Sequence, residues 1–357
     1  MDQKITITMS ENLKPKPADE SSLGFGRIFT DHMFVMDYAE DKGWYDPRIE
    51  PYSPISIDPS SMILHYGQAI FEGMKAYRTT DGSVVLFRPI ENMRRINVSN
   101  NRMVIPQIDP EYMVKCVKAL VELEKDWVPS STGTSLYIRP FIFATDTFLG
   151  VRPSKTYKFM VILSPSGPYY PQGLDPVKIY VEQEYVRAVV GGTGFAKTPG
   201  NYAASLASQA KAYESGYVQV LWLDGVERKY IEEVGSMNVF FVIDGKLVTP
   251  SLDGSTLPGI TRKTVIELAR SWGIDVEERR ISIDEVFTKA LDGRVSEVFG
   301  SGTAAVISPV GELFWNNKKV IFNDNKIGNL SQKLYSTITG IQYGLIPDEF
   351  NWIEKVV

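Results

Sequence analysis

Fourteen residues near the middle of the chain, SPSGPYYPQGLDPV from Ser164 to Val177, hold four prolines and two glycines. Proline fixes φ and removes a backbone donor, and glycine frees the chain, so neither a helix nor a central strand is expected to run through this stretch. A chain of 357 residues is long for a single core, which makes the stretch the expected boundary between two domains. The expected division is a mobile, polar, proline-bearing arm over residues 1–22, a small α/β domain over 23–165, an interdomain loop over 166–177 and a large domain over 178–357. Tyr169 and Tyr170 make the loop a candidate wall over a site as well as a spacer.

Both halves alternate between strand and helix patterns. In the first, TDHMFVMDYAEDKGW reads as a strand into a turn, KAYRTTDGSVVLFR as a hairpin around Asp81-Gly82, and ENMRRINVSNNRM and DPEYMVKCVKALVELEKDW as helices. TSLYIRPFIFATD and YKFMVILSPS read as strands. In the second half VKIYVEQEYVRAVV, QVLWLDG, ERKYIEE, NVFFVIDGKLVTPS and VSEVFGSGTAAVISPV supply strands, with a hairpin signal at Asp244-Gly245. ASLASQAKAYESG, TRKTVIELARSWG and NLSQKLYSTITGIQYG read as helices. The expected class is mixed α+β.

Charge and composition remove several functions. A net charge of −5 leaves no basic field for nucleic acid or an anionic membrane surface. The single cysteine, Cys116, lies in an apolar-patterned run and is expected to be a buried thiol; it permits no intramolecular disulfide. Two histidines, His32 and His65, without an H-E-x-x-H helix, disfavour a zinc hydrolase, and no metal site is expected. No apolar run reaches membrane-spanning length and no signal peptide is recognisable, so the expectation is a cytoplasmic protein.

The chemistry concentrates in GGTGFAKTPGNYAAS, Gly191 to Ser205. Read as a phosphate-binding loop, Gly191 to Thr198 misses the pattern by one position, because Ala196 replaces the second glycine. Pro199-Gly200 argues for a turn where such a loop needs a helix start, and Asp224, the candidate magnesium ligand, sits in an Asp-Gly turn dipeptide. The alternative is that Lys197 is an amine held to form a Schiff base with a carbonyl cofactor. Pyridoxal phosphate then requires an acid facing its pyridine nitrogen, a donor to its phenolate oxygen and a cup for its phosphate. Glu232 and Glu233 are the candidate acids, and only one of two adjacent strand residues can face the cofactor. The cup can come from the Pro-Gly turn before Ile260 and Thr261, from the turn carrying Thr303, and from Arg94 or Arg95.

Taken together, LHYGQAIFEGMKAY, LFRPIENMRRI, GTSLYIRP, KTPGNY, QVLWLDG, EEVGSMNVFFV, LPGITRK and VFGSGTA resemble the branched-chain aminotransferases of the fold-type IV pyridoxal-phosphate family, in order and over nearly the whole chain beyond the arm. The resemblance implies a two-domain fold with mainly antiparallel sheets and flanking helices, and a homodimer whose active site is completed by partner residues. It assigns Lys197 to the cofactor's carbonyl, Tyr202 to the phenolate oxygen, Glu233 to the pyridine nitrogen, and Arg95, Ile260, Thr261 and Thr303 to the phosphate side, with Ser236 also among the cofactor-binding residues. Ser236 stands where the family often has threonine.

The resemblance further implies reversible amino transfer from leucine, isoleucine or valine to 2-oxoglutarate with ping-pong kinetics, in branched-chain amino acid biosynthesis or degradation. Phe25, Tyr66, Phe71, Tyr137 and Tyr169 map to the apolar substrate pocket, Thr303 and Ala304 to the substrate carboxylate, with Tyr66 supporting it from the partner subunit. Arg139 maps to the wall that meets the second carboxylate of glutamate. Ala305 and Ser308 replace the C-x-x-C redox pair of some animal members. Rival readings are a D-amino-acid aminotransferase or aminodeoxychorismate lyase within the fold, and a triphosphatase or an inactive binding protein outside it.

Overall fold

The computed structural model describes residues 3–168 and 173–357. Tyr169 lies outside them. Two compact units emerge, one of residues 1–169, 196–199 and 340–357, the other of 170–195 and 200–339. The short segment around Lys197 and the last eighteen residues therefore group with the first unit, two returns that a division at one linker does not contain.

The first unit is built on one sheet in the order Thr6–Ile7, Gly43–Pro51, His32–Ala39, Thr156–Ser166, Ser135–Ala144, Met74–Arg78, Val84–Phe87 and Ile353–Lys355, with Ala69–Phe71 added against Ser135–Ala144. Only the first pair is parallel. Asp81-Gly82 turns the hairpin between Met74–Arg78 and Val84–Phe87 as its sequence predicts. Along Ser135–Ala144 the side chains alternate. Leu136 and Ile138 enter a core with Phe159 and Val161, while Tyr137 and Arg139 leave by the opposite face.

Helices Pro89–Met103 and Pro110–Leu123 cover the core face with Met93, Ile96, Met113, Cys116, Val117 and Leu120. The second starts where Asp109 accepts a hydrogen bond from Glu111 N–H and Pro110 occupies the first turn. Each fully buried Leu or Phe side chain contributes about 1.5–3 kcal/mol, so this interior supplies the rigidity on which the opposite face depends. Burial pushes the Cys116 thiol up to about 12, in keeping with an inert core side chain.

The amino-terminal residues, expected as a mobile arm, lie along the sheet edge. Thr6–Ile7 pairs with Gly43–Pro51, Ser10 N–H donates to His32 Nε2 at 2.9 Å, and Lys14 N–H donates to Asp31 at 2.8 Å. Polar composition concealed these contacts because their partners lie far along the sequence.

In the second unit the strands run Ile231–Val234, Gln219–Leu223, Val177–Val181, Val306–Trp315, Val295–Gly302 and Met237–Ile243, and the last pairs again with the first, closing a ring of strands. Lys246–Thr249 and Val276–Glu278 extend it, and Lys318–Ile321 pairs with Val306–Trp315. Alternate residues Val177, Ile179 and Val181, with Leu221, Val239, Phe241, Val298 and Leu313, fill its core. Asp244 and Gly245 both take positive φ, as the hairpin signal predicts. Helices Leu206–Glu214, Ile260–Ser271 and Ile283–Leu291 flank the strands, and the mixed α+β class expected from the sequence is borne out.

Candidate active site

Lys197 is fixed by its main chain before its side chain is considered. Its N–H donates to the buried Ser99 hydroxyl at 2.9 Å, its carbonyl accepts from Phe71 N–H at 3.0 Å, and Thr198 Oγ1 donates to Ala69 O at 2.8 Å. The amine then stands 4.9 Å from the centre of the Phe71 ring. Helix Pro89–Met103 and strand Ala69–Phe71 thus both hold the lysine backbone. On the other side of the turn, Pro199–Ala203 forms a single helical turn with Pro199 at its start, where the dipeptide Pro199-Gly200 had suggested a plain turn.

Arg95, the phosphate candidate, is buried and meets Glu72 twice, Nε to Oε1 at 2.7 Å and Nη2 to Oε2 at 3.0 Å. Asn92 Nδ2 and Gly73 N–H also donate to Glu72 Oε2. Burial opposes ionisation of Glu72, but the Arg95 charge and hydrogen bonds outweigh it, aided by the Lys197 charge, and hold the carboxyl below the usual range. Glu72 was not among the residues singled out from sequence. Its only signal is a charged residue between Phe71 and Gly73 in a strand-like run.

The expected substrate aromatics partly assemble. Phe25 packs edge-on to Tyr137 with ring centres 4.8 Å apart, Arg139 Nη2 donates to the Tyr137 hydroxyl at 3.1 Å, and the Arg139 guanidinium lies 4.9 Å from the Phe71 ring centre. Gly73 permits this, because a Cβ there would fall 2.1 Å from the Tyr137 oxygen. Arg139 Nε is buried with no hydrogen-bond partner among the described residues, an orphaned cationic donor that fits a carboxylate. Tyr66 is not part of this group. It is exposed on the short helix Met62–Tyr66, and its hydroxyl donates to Leu149 O.

In the second unit, Glu233 pairs in register with Asn238, and both are tied to the turn before helix Ile260–Ser271. Leu257 N–H donates to Glu233 Oε1 at 2.8 Å, and Asn238 Nδ2 donates to Leu257 O at 2.9 Å. Arg187 Nε stands 3.3 Å from Glu233 Oε2, a cation that sequence reading missed because YVRAVV looked like strand. Gly259 precedes the helix with no side-chain cap, so the first N–H groups, at Ile260 and Thr261, are left as donors able to hold an anion such as a phosphate.

Thr303 and Ala304 occupy the hairpin turn between Val295–Gly302 and Val306–Trp315, both half-buried. Ser236 is exposed in the turn after Glu233. Tyr202 is half-buried on the helical turn that follows Lys197. Gly194 explains one glycine of the opening motif, since a Cβ there would lie 2.0 Å from Ser255 O. The loop is closed at its base by Thr193 and Asn201, whose side chains meet at 2.7 Å.

The phosphate-loop alternative loses its metal ligand. Asp224 accepts hydrogen bonds from the N–H groups of Val226, Glu227, Lys229 and Tyr230 and so organises its own turn. No group of three or more His, Cys, Asp or Glu side chains suited to a metal ion occurs among the described residues. No helix there is long and apolar enough to cross a membrane.

Residues 69–313 match the family model described as amino-transferase class IV. The chain belongs to that family. It is 60% identical over 354 residues to "Branched-chain-amino-acid aminotransferase 2" of Bacillus subtilis, covering 99% of this chain and 97% of that one. The branched-chain amino acid aminotransferase of Escherichia coli superposes with a TM-score of 0.77 at 27% identity, covering 92% of this chain and 99% of that one. A T.th. branched-chain amino acid aminotransferase, solved with pyridoxamine 5'-phosphate, has a TM-score of 0.75 at 26% identity, covering 90% of this chain and 98% of that one. Class IV membership agrees with the fold-type IV architecture expected from the motifs and identifies the chain as an aminotransferase.

Proposed function

We propose that the protein is a pyridoxal-phosphate-dependent branched-chain-amino-acid transaminase that moves the amino group of leucine, isoleucine or valine to 2-oxoglutarate by ping-pong exchange. The observation that carries the reading is the Lys197 amine beside Phe71, its backbone hydrogen-bonded on both sides, in a chain whose relatives are named for this activity. The uncapped start of helix Ile260–Ser271 fits a phosphate and Glu233 fits a ring cation; Arg95 joins the phosphate side by its match to the family motif. Tyr202, Ser236 and Thr303 complete the cofactor set, by their match to the family motifs. When bound, pyridoxal phosphate supplies a ring that withdraws electrons from the substrate's Cα.

The chain's own groups do the rest. Glu233, held by Leu257 N–H and Arg187, presents a fixed negative charge, so no reorganisation is needed when a cation faces it. Lys197 Nζ takes the Cα proton of the amino acid in one half-reaction and delivers it to Cα in the reverse one. Phe25, Phe71, Tyr137 and, from the interdomain segment, Tyr169 take the aliphatic side chain. An apolar pocket separates such side chains by only about 1–3 kcal/mol per methylene, which favours breadth of substrate. Arg139, with its orphaned Nε, takes the second carboxylate of glutamate, while Thr303 and Ala304 N–H groups take the α-carboxylate.

A homodimer fits the exposed apolar side chains Leu64, Tyr66, Phe148, Leu149 and Val151 of the first unit, and Tyr66 would then serve the partner's substrate. The lone buried cysteine suits a cytoplasmic enzyme. The test is a spectrum and an assay: purified protein with added pyridoxal phosphate should absorb near the violet edge of the visible and transaminate leucine with 2-oxoglutarate. Lys197→Ala should stay folded and lose both properties. A wild-type protein that stays colourless, or a variant with normal turnover, overturns the reading.

A further inference from the structure

Glu232 has no role in the scheme above, although it is almost completely buried. Adjacent strand residues leave opposite faces, so Glu232 points away from the side that Glu233 serves. Its Oε1 meets the Ser255 hydroxyl, and the same hydroxyl lies 3.2 Å from Asp253 Oδ1. Its Oε2 is buried with no hydrogen-bond partner among the described residues. Ser255 also accepts, through its carbonyl, a hydrogen bond from Arg187 Nη2, and Arg187 Nε faces Glu233. Polar groups therefore connect Glu232 to Ser255, to Arg187 and to Glu233.

One hydroxyl carries one proton and cannot donate to two carboxylates at once. Both contacts are hydrogen bonds only when one of the carboxyls is itself protonated. Asp253 is exposed and Glu232 is not. Burial pushes the Glu232 carboxyl up to about 7; the Ser255 hydrogen bond and the Arg187 charge pull it down, and the charges of Glu233 and Asp253 raise it again. Among the described residues these are the groups that act on it most strongly. The proton belongs on Glu232, which donates to Ser255 Oγ while Ser255 donates to Asp253.

Charge counting then gives this proton a use. Asp253 is exposed and its charge is solvated by water, so among the buried groups Arg187 and Glu233 cancel while Glu232 is neutral. A ring cation placed opposite Glu233 leaves one positive charge in excess in a poorly solvated cluster, and ionising Glu232 removes it. We propose that Glu232 is a positioning residue that stores a proton in the empty enzyme and releases it through Ser255 and Asp253 when the cofactor's ring nitrogen faces Glu233. The proton passes from Glu232 Oε1 to Ser255 Oγ as the Ser255 proton passes to Asp253 Oδ1 and on to water. Glu233 thereby keeps a full negative charge for the ring, with Arg187 balanced from its other side.

The proposal rests on the pyridoxal-phosphate reading and is tested apart from it. Pyridoxamine 5'-phosphate binding to cofactor-free protein is measured by calorimetry from pH 5.5 to 8.5, a span of about 1.5 units either side of the Glu232 value, for wild type and Glu232→Gln. Release of a proton on binding makes affinity rise with pH below the empty-state value, by up to about tenfold per unit, and level off above it. Titrations of the ligand itself are common to both proteins and cancel in the ratio of their affinities. That ratio should show the slope, which is absent if Glu232 stays protonated or stays ionised. A flat ratio overturns the proposal while leaving the cofactor reading intact, and a wild type that does not bind pyridoxamine 5'-phosphate overturns both. Should Glu232→Gln fail to fold, infrared difference spectra of the wild type decide. A buried carboxylic-acid carbonyl band present near pH 6 must disappear on loading; its persistence refutes the release.

Discussion

Replacing Glu72 by alanine tests whether its ion pair with Arg95 holds the proposed cofactor side of the first unit in place. Glu72 is fully buried and Arg95 almost so, with two hydrogen bonds between them and a third to Glu72 from Asn92. Removing the carboxylate strands a buried guanidinium, and breaking a pair in this way costs about 3–5 kcal/mol. A domain near this size loses about 2–4 °C per kcal/mol, so the first unit's melting transition should fall by about 6–20 °C.

The measurement is scanning calorimetry of cofactor-free protein, paired with a pyridoxal-phosphate titration in which the variant binds more weakly. Glu72→Ala with Arg95→Met removes both charges and should recover most of the stability, because a buried pair replaced by apolar groups is often neutral, but none of the affinity. The pH dependence has a fixed sign. The carboxyl is held below its unfolded value of about 4.3, so its contribution is complete above that pH and is lost as pH falls through the lower folded value. Wild type and Glu72→Ala should therefore differ by a constant amount at neutral pH and converge only in acid. A shift below about 2 °C at neutral pH, worth 1 kcal/mol or less, would refute the reasoning.

Gly259→Ala places a Cβ 2.0 Å from Asn238 Oδ1 and must move the turn that carries Leu257 and the helix start. Pyridoxal-phosphate affinity should drop at least tenfold with little change in the substrate KM of the saturated enzyme; unchanged affinity would separate that turn from the phosphate. Arg139→Met should raise the KM for glutamate by about tenfold or more, the loss of a charged hydrogen bond worth about 1.5–3 kcal/mol, and leave that for leucine nearly unchanged. Equal effects on both would remove Arg139 from the second carboxylate. Val151→Asp, at a side chain 84% exposed, should convert the proposed dimer to monomer in sedimentation equilibrium without unfolding either unit.

Local signals in the sequence were sufficient where neighbours along the chain decide the structure. Asp109-Pro110 starts its helix, Asp81-Gly82 and Asp244-Gly245 turn their hairpins, and Gly216, with positive φ, closes the helical run ASLASQAKAYESG just past the helix Leu206–Glu214. Long-range pairing was not legible in the same way. VKIYVEQEYVRAVV read as one strand, yet only Val177–Val181 pairs, and Arg187 beyond it serves as a buried cation. Glu72 and Arg95 are twenty-three residues apart and show no local sign of meeting. Lys197 stood out because its motif is local, whereas the hydrogen bonds that hold it come from Ser99 and Phe71.

The strand Ile353–Lys355 pairs with Val84–Phe87 at the margin of the first sheet. On a ribosome the two are made about 265 residues apart, an interval of roughly 13–53 s at 5–20 residues per second. Throughout that interval the Val84–Phe87 margin is an open template for any passing strand, and a nascent chain of this protein depends on being shielded there until its final residues emerge.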